Sequence, residues 1–373
     1  MSRPVLLAYR ALGLGDFLTG LPALRALRDA HPEHHLVLAA PAALAPLVEL
    51  PAIVDEHAFT EPLAAPPPGA DVAVNLHGRG PESHRVLLAS RPGRLIAFAC
   101  DGVAGPEYRP HEHEVHRWCR LLRESGIPAD PARLELPVPL MPQPDPVTIV
   151  HPGAASPARQ WPASRWAAVA RALRERGEQV VVTGSRMERH LADAVVEAAG
   201  LTHRSNLAGR TDLLGLAGLV AGARRVLSGD TGIAHLATAF GTPSVVLFGP
   251  TPPEEWGPPA DRPQHVVLYR GGRGDPHAER PDAGLLAIAV EDVLAVTEGS
   301  FAASAVGSPT DMGITDKITG RAKQAVGDLT GDADTRRQGT LEERKGDVKD
   351  EAALAEERAE RKRAEAEDLE RRT

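Results

Sequence analysis

Aromatic side chains are scarce in this chain: Phe, Trp and Tyr together make up 3% of its 373 residues. An interior here must therefore be aliphatic, and a hydrophobic fraction of 42% is enough to supply it. Cysteine is scarcer still. Cys100 and Cys119 stand in unrelated contexts, which excludes a disulfide framework and fits a reducing compartment. No apolar run approaches the ~18 residues of a membrane span. An excess of basic charge is also missing: 42 Lys and Arg face 50 Asp and Glu, a net charge of −8. The broad cationic footprint of a nucleic-acid binder is excluded with it. The opening residues run directly into an apolar strand with no small-residue cleavage site, so no signal peptide is expected.

What is present is alternation. Apolar runs short enough for buried strands recur at Val5–Tyr9, His35–Ala40, Asp71–Leu76, Arg94–Ala99, Thr148–Val150 and Gln179–Thr183. A third N-terminal strand is expected over Ile53–Phe59. Between these runs lie stretches with helical spacing: Phe17–Ala30, Pro41–Leu50, Ser83–Ala89, Val115–Ser125 and Ala163–Arg176, with a last one at Leu285–Thr297. Strands alternating with helices at this pace predict parallel, doubly wound sheets. The proline-rich segment 128–146 reads as a linker between two such lobes, 1–127 and 147–299. Glycine turns follow several strands, among them Gly13–Asp16, His77–Gly80 and Gly184–Glu188.

The densest stretch runs from Asn206 to Pro253. Arg225–Leu227 predicts a strand, Ser228–Gly232 a turn, Ile233–Phe240 a helix and Ser244–Phe248 a second strand. In open α/β sheets ligands bind outside the carboxyl ends of strands, where this turn falls. Gly229 and Gly232 permit close backbone approach. The amides that start the following helix favour an anion, and a diphosphate suits them.

The run SGDTGIAHLATAFGTPSVVLFGPT, Ser228–Thr251, resembles the donor-site signature of glycosyltransferase family 9, the heptosyltransferases. Gly13-Leu14-Gly15-Asp16 followed by Leu21-Pro22-Ala23-Leu24 resembles the family's opening, and His151-Pro152-Gly153-Ala154 with Arg159-Gln160-Trp161-Pro162 resembles its second-lobe start. The likeness covers roughly residues 4–298. It implies the GT-B arrangement of two Rossmann-like lobes facing a cleft, an acceptor lobe and a donor lobe, and inverting transfer from a nucleotide-sugar. It makes Asp16 the general base, with Gly15 and His77 on the acceptor side. Arg159, Thr231, Gly232 and His235 would lie about the donor diphosphate, Asp230 on sugar hydroxyls and Glu188 by the nucleoside.

It implies further a glycan or glycolipid acceptor of the cell envelope and a cytoplasmic protein in peripheral contact with the inner membrane face. No metal and no cofactor is expected beyond the co-substrate, an ADP-sugar. Residue chemistry alone leaves other readings open. Asp16 is also a good helix N-cap, Glu188 a first-turn acid facing a helix dipole, and Arg159 a surface charge beside a buried Trp161. A dinucleotide fingerprint at Gly13-x-Gly15 fails because Leu18 stands where a small residue is needed. The run His111-Glu112-His113-Glu114-Val115-His116 lacks the HExxH spacing and reads as a solvated helix start. A non-catalytic nucleotide-sugar binder is the first alternative.

Composition changes past Ser300. A linker, 300–312, leads to a segment, 313–350, that resembles the CsbD-like stress proteins, and then to a charged helical tail, 351–373. A stress protein acting through that tail is the second alternative. Arg273-Gly274-Asp275 and Asp332-Ala333-Asp334 read as chance triplets.

Overall fold

A computed structural model describes residues 3–140 and 146–299. The CsbD-like segment and the tail lie outside the described residues. The expected parallel sheets form. In the N-terminal half, β1 (Val5–Tyr9) is followed by α1 (Leu14–Ala30), β2 (His35–Ala40), α2 (Ala45–Glu49), β3 (Glu56–Phe59), β4 (Val72–Asn75), α3 (Glu82–Ala89), β5 (Arg94–Ile96) and α4 (Glu114–Glu124). The C-terminal half runs β6 (Thr148–His151), α5 (Ala163–Glu175), β7 (Val180–Val182), α6 (Arg189–Ala199), α7 (Leu213–Ala221), β8 (Arg225–Gly229), α8 (Gly232–Phe240), β9 (Ser244–Phe248), α9 (Pro253–Trp256), β10 (His265–Tyr269), α10 (Ala283–Leu286) and α11 (Val290–Gly299). Among the described residues no helix is long and apolar enough to cross a membrane.

Every pairing between these strands is parallel. Parallel strands are covered on both faces, so β8 and β9 are buried throughout and show no alternation. The two sheets differ in order. The first is β3-β2-β1-β4-β5, the dinucleotide-fold order, and the second is β10-β9-β8-β6-β7, the flavodoxin-like order. Each has a switch point where the chain reverses direction across the sheet. It falls between β1 and β4 in the first and between β6 and β8 in the second. Asp16 and His77 follow β1 and β4; Gly153 and Asp230 follow β6 and β8.

The interior is aliphatic and continuous between the lobes. Leu21, Leu24, Leu38 and Val74 of the first lobe belong to the same buried cluster as Ile149, Val226, Ile233 and Leu236 of the second. Helix α1 packs on α8, and α2 on α7. The proline-rich connection is anchored, with Leu134 and Leu136 buried and the Leu136 N–H donating to the Ala239 carbonyl at 3.1 Å.

Several local expectations are corrected. The strand expected over Arg94–Ala99 stops at Ile96, because the chain beyond it turns to pair with a loop; the Ala99 N–H donates to the Pro106 carbonyl at 2.8 Å. The third strand begins at Glu56, three residues later than Ile53. The single helix expected over Leu285–Thr297 is two. Asp282 caps α10 through the Gly284 and Leu285 amides, and the Asp292 carboxylate accepts from the Ala289 N–H at 3.0 Å, which starts α11 afresh. Strand β10 was not expected at all; its run His-Val-Val-Leu-Tyr pairs with β9 at the sheet edge.

Candidate functional site

The turn after β1 carries the first candidate. Helix α1 starts at Leu14, so Gly13 is the N-cap and Asp16 lies inside the first turn. The N-cap reading of Asp16 is therefore corrected: an early start leaves its carboxylate to accept from the Gly13 backbone N–H. The Asp16 side chain is 28% exposed. Burial, the largest influence, raises its pKa; the Arg10 charge lowers it and Glu114 raises it.

Neither Arg10 nor Glu114 was singled out from the sequence. Arg10 is buried, and one of its terminal nitrogens lies 3.0 Å from Glu114 Oε1 and 3.6 Å from Asp16 Oδ1. The same guanidinium donates to the carbonyls of Asp16 and Leu76 and to Thr19 Oγ1, and it stacks 5.0 Å from the centre of the Trp118 ring. The available signal was a lone charge ending an apolar strand. The reading of residues 111–116 as a solvated helix start is corrected too. His113 does cap α4, but Glu114 is buried, and each of its oxygens takes a charged partner, Arg10 on one and Arg117 on the other.

His77 sits at the carboxyl end of β4 with its ring 5.0 Å from that of Tyr9. Burial and the Arg10 charge push its pKa down to about 4, so it is neutral at neutral pH.

In the second lobe, Asp230, Thr231 and Gly232 form the turn between β8 and α8. Asp230 is buried, and burial pushes its pKa up to about 6 against the pull of Arg159. One Arg159 terminal nitrogen lies 3.4 Å from the Asp230 carbonyl and 3.9 Å from its carboxylate. A side chain at Gly229 would press on the Arg159 carbonyl at 3.2 Å, so glycine here permits the close approach. The Arg159 Nε and the Thr231 hydroxyl are buried without a hydrogen-bond partner. Thr231 occupies the N-cap of α8 but makes no side-chain cap bond. An anionic oxygen at this helix N-terminus would satisfy both groups.

Glu188 closes a capping box with Ser185, its carboxylate accepting from the Ser185 N–H at 2.7 Å. It also overhangs the end of β6, where a Cβ on Gly153 would collide with its carboxylate. Burial lowers the pKa of His151 beside it against the pull of Glu188, and its Nδ1 lies 2.9 Å from Thr183 Oγ1.

The two turns meet. A Cβ on Gly15 would lie 3.1 Å from His235 Cδ2 and 3.7 Å from Gly232 Cα, and one on Gly232 would lie 2.9 Å from Leu14 Cβ. His235, on α8, is pushed down to about 4, chiefly by burial. His113 adds an inter-lobe bond: its Nδ1 accepts from Val115, so Nε2 carries the proton and donates to the Gly257 carbonyl at 2.9 Å. A small cavity of about 20 Å³ lies between His113, His235, Thr19 and Pro258, room for about one water molecule. The structure thus brings Gly15, the residue before Asp16, against Gly232 and His235 of α8. Glu188 lies apart, at the β6 and β7 ends.

Among the described residues, one group has metal-ligand spacing: His31, Glu33 and His34. It precedes β2, at the amino end of the first sheet, away from both switch points.

Residues 107–280 match the profile of glycosyltransferase family 9 (heptosyltransferase). The lipooligosaccharide heptosyltransferase 2 of Haemophilus ducreyi is 35% identical over 129 residues, 32% of this chain and 36% of that protein. The chain thus aligns with about a third of the length of such curated relatives. A family 9 glycosyltransferase from Veillonella parvula superposes with a TM-score of 0.65 at 19% identity, covering 81% of this chain and 98% of its own. The ADP-heptose lps heptosyltransferase II of E. coli superposes with 0.63 at 21% identity, covering 80% and 98%. The family 9 resemblance, expected over roughly residues 4–298, is borne out over residues 107–280, and the GT-B fold is borne out by the superpositions. The family match ends at residue 280 and does not reach the tail.

Proposed function

We propose that this chain, a relative of the family 9 heptosyltransferases, is an inverting glycosyltransferase. It would move a heptose-like sugar from an ADP-sugar to a glycan or glycolipid acceptor such as lipopolysaccharide, working at the inner face of the membrane. The observation that carries the proposal is the apposition of Gly15 and Gly232, which sets the turn that bears Asp16 in one lobe against the N-terminus of α8 in the other.

In this reading Asp16 accepts the acceptor hydroxyl's proton as that oxygen bonds to the anomeric carbon. The bond from that carbon to the diphosphate oxygen breaks, and the nucleoside diphosphate leaves with the electron pair. General-base help of this kind contributes about 10²–10⁴-fold. Charge gathering on the leaving diphosphate meets Arg159 and the α8 amides, which act as preorganised donors. Thr231 would add its hydroxyl and His235 would line the same space. Asp230 would hold sugar hydroxyls, and Glu188 would meet the nucleoside. His77, neutral at neutral pH, would face the acceptor. These groups supply the positive charge that a divalent cation supplies elsewhere, so transfer should survive chelation.

A non-catalytic nucleotide-sugar binder would not require an acid at position 16. The test is transfer from a panel of ADP-, GDP- and UDP-sugars to a lipopolysaccharide-core acceptor in EDTA. Product from an ADP-sugar is expected. Tight nucleotide binding with no transfer to any acceptor would favour the binder.

A further inference from the structure

A base that lies beside an arginine is a weakened base. Asp16 Oδ1 is 3.6 Å from a terminal nitrogen of Arg10, and a nearby positive charge favours the ionised carboxylate. Left alone, that pair would hold Asp16 deprotonated but poor at taking a proton. Arg10 is not left alone. The same nitrogen is closer to Glu114, 3.0 Å from Oε1. Coulomb energy falls with distance, so the nearer and more deeply buried carboxylate takes the larger share.

Glu114 is built for this. Its Oε1 also accepts from the Trp118 indole at 2.7 Å, and its Oε2 takes Arg117. The Trp118 ring backs the Arg10 guanidinium. Glycine at position 20 leaves the space Arg10 passes through, since a Cβ there would lie 2.9 Å from Arg10 Cδ. Arg10 in turn holds the Asp16 and Leu76 carbonyls, tying α1 to the end of β4. The charges that act on Asp16 are Arg10 and Glu114; around that pair stand Arg117, bonded to Glu114, His77, which feels Arg10, and His113 and His235, which feel Glu114. The three histidines are held toward the neutral form by burial. That leaves Arg10, Glu114 and Arg117 to set the field at neutral pH.

We propose that Glu114 is a positioning residue for the base: it anchors Arg10 beneath the first turn of α1 and absorbs its charge, so that Asp16 is held in place yet stays basic. The inference rests on the reading of Asp16 as the base, but its first test needs no substrate. Carbon-13 NMR of the full chain, with Asp16→Asn as the subtraction control, gives the Asp16 titration midpoint. Glu114→Gln should move that midpoint to lower pH, because Arg10 then acts on Asp16 unopposed. Arg10→Gln should move it to higher pH. Glu114→Asp keeps the charge and should return it toward the wild-type value. Arg117→Gln, at the cluster's edge, should raise it by leaving more of Glu114's charge unneutralised.

A merely structural role would loosen the site and shift Glu114→Gln and Arg10→Gln in the same direction. That result, or an unmoved midpoint in Glu114→Gln, would overturn the proposal; if neither of those variants folds, the Arg117→Gln shift decides it. In turnover, Glu114→Gln should lower kcat about tenfold with donor KM unchanged and the acid limb of the profile displaced downward. If wild-type protein transfers no sugar, the functional reading fails while the titration still decides the role of Glu114.

Discussion

Gly15 stands directly against His235: a single added Cβ would lie 3.1 Å from the imidazole Cδ2, with Gly232 Cα only 3.7 Å away. The first turn of α1 and the start of α8 can approach this closely because both carry glycine at the crossing. The two positions should not tolerate alanine equally. At Gly15 the obstacle is a ring that can shift by a few tenths of an ångström, and alanine favours the helix by about 1 kcal/mol. At Gly232 the obstacle is Leu14 Cβ, at 2.9 Å and fixed to the backbone. Gly15→Ala should keep its melting temperature and lose a few-fold in turnover. Gly232→Ala should lower both, with about 1–3 kcal/mol of stability lost to overpacking. Thermal melts of the two variants side by side check the ranking.

Asp16→Asn is the direct test of the base. Gly13 caps α1 and Arg10 keeps Glu114 as its nearer partner, so the exchange removes a part-exposed charge near the helix N-terminus, about 0.3–1 kcal/mol. The fold and nucleotide affinity should persist while turnover falls by about two orders of magnitude or more. A variant that transfers sugar at the wild-type rate would return the search to His77.

The proposed donor site predicts opposite effects at two neighbours. Arg159→Met removes a charge-assisted bond worth about 1.5–3 kcal/mol, so ADP affinity in EDTA should fall tenfold or more, at about 1.4 kcal/mol per factor of ten. Asp230→Asn removes a negative charge from the same turn. It should leave ADP affinity unchanged or tighter while weakening the ADP-sugar relative to ADP. Calorimetry on both variants separates a diphosphate contact from a sugar contact.

Acid should weaken the fold through its histidines. His77, His235 and His265 are each pushed down to about 4, chiefly by burial. Between about 4 and the ordinary histidine value of about 6.5, the unfolded chain binds protons that the folded chain refuses. Stability is therefore full above that window and lost as pH falls through it. Asp230, raised to about 6, acts in the opposite sense: it favours the fold below its unfolded value and loses that contribution as pH rises toward 6. With three strongly shifted histidines against one strongly shifted carboxylate, the melting temperature should drop between pH 6.5 and 4.5. His265→Gln, at β10 and remote from the site, should flatten the slope. A melting temperature that climbs on acidification would contradict this balance.

The amino-acid sequence by itself determined the alternation of strands and helices and the turn from Ser228 to Gly232. Both are written locally, in apolar runs of strand length, helical spacing and glycines where the backbone must turn. The bounds of β1, β2 and β9 could be read directly from such runs. Helix starts were less legible, as α1 shows: Asp16 offers a good cap, yet the cap is Gly13 and the helix begins at Leu14, three residues before the expected Phe17. Only the tertiary structure decided the differing strand orders of the two sheets, the meeting of Gly15 with His235, and the pairing of Arg10 with Glu114 across 104 residues. Such contacts have no period in the sequence. They depend on which strands become neighbours, and a buried charge is tolerated only where that choice brings it a partner.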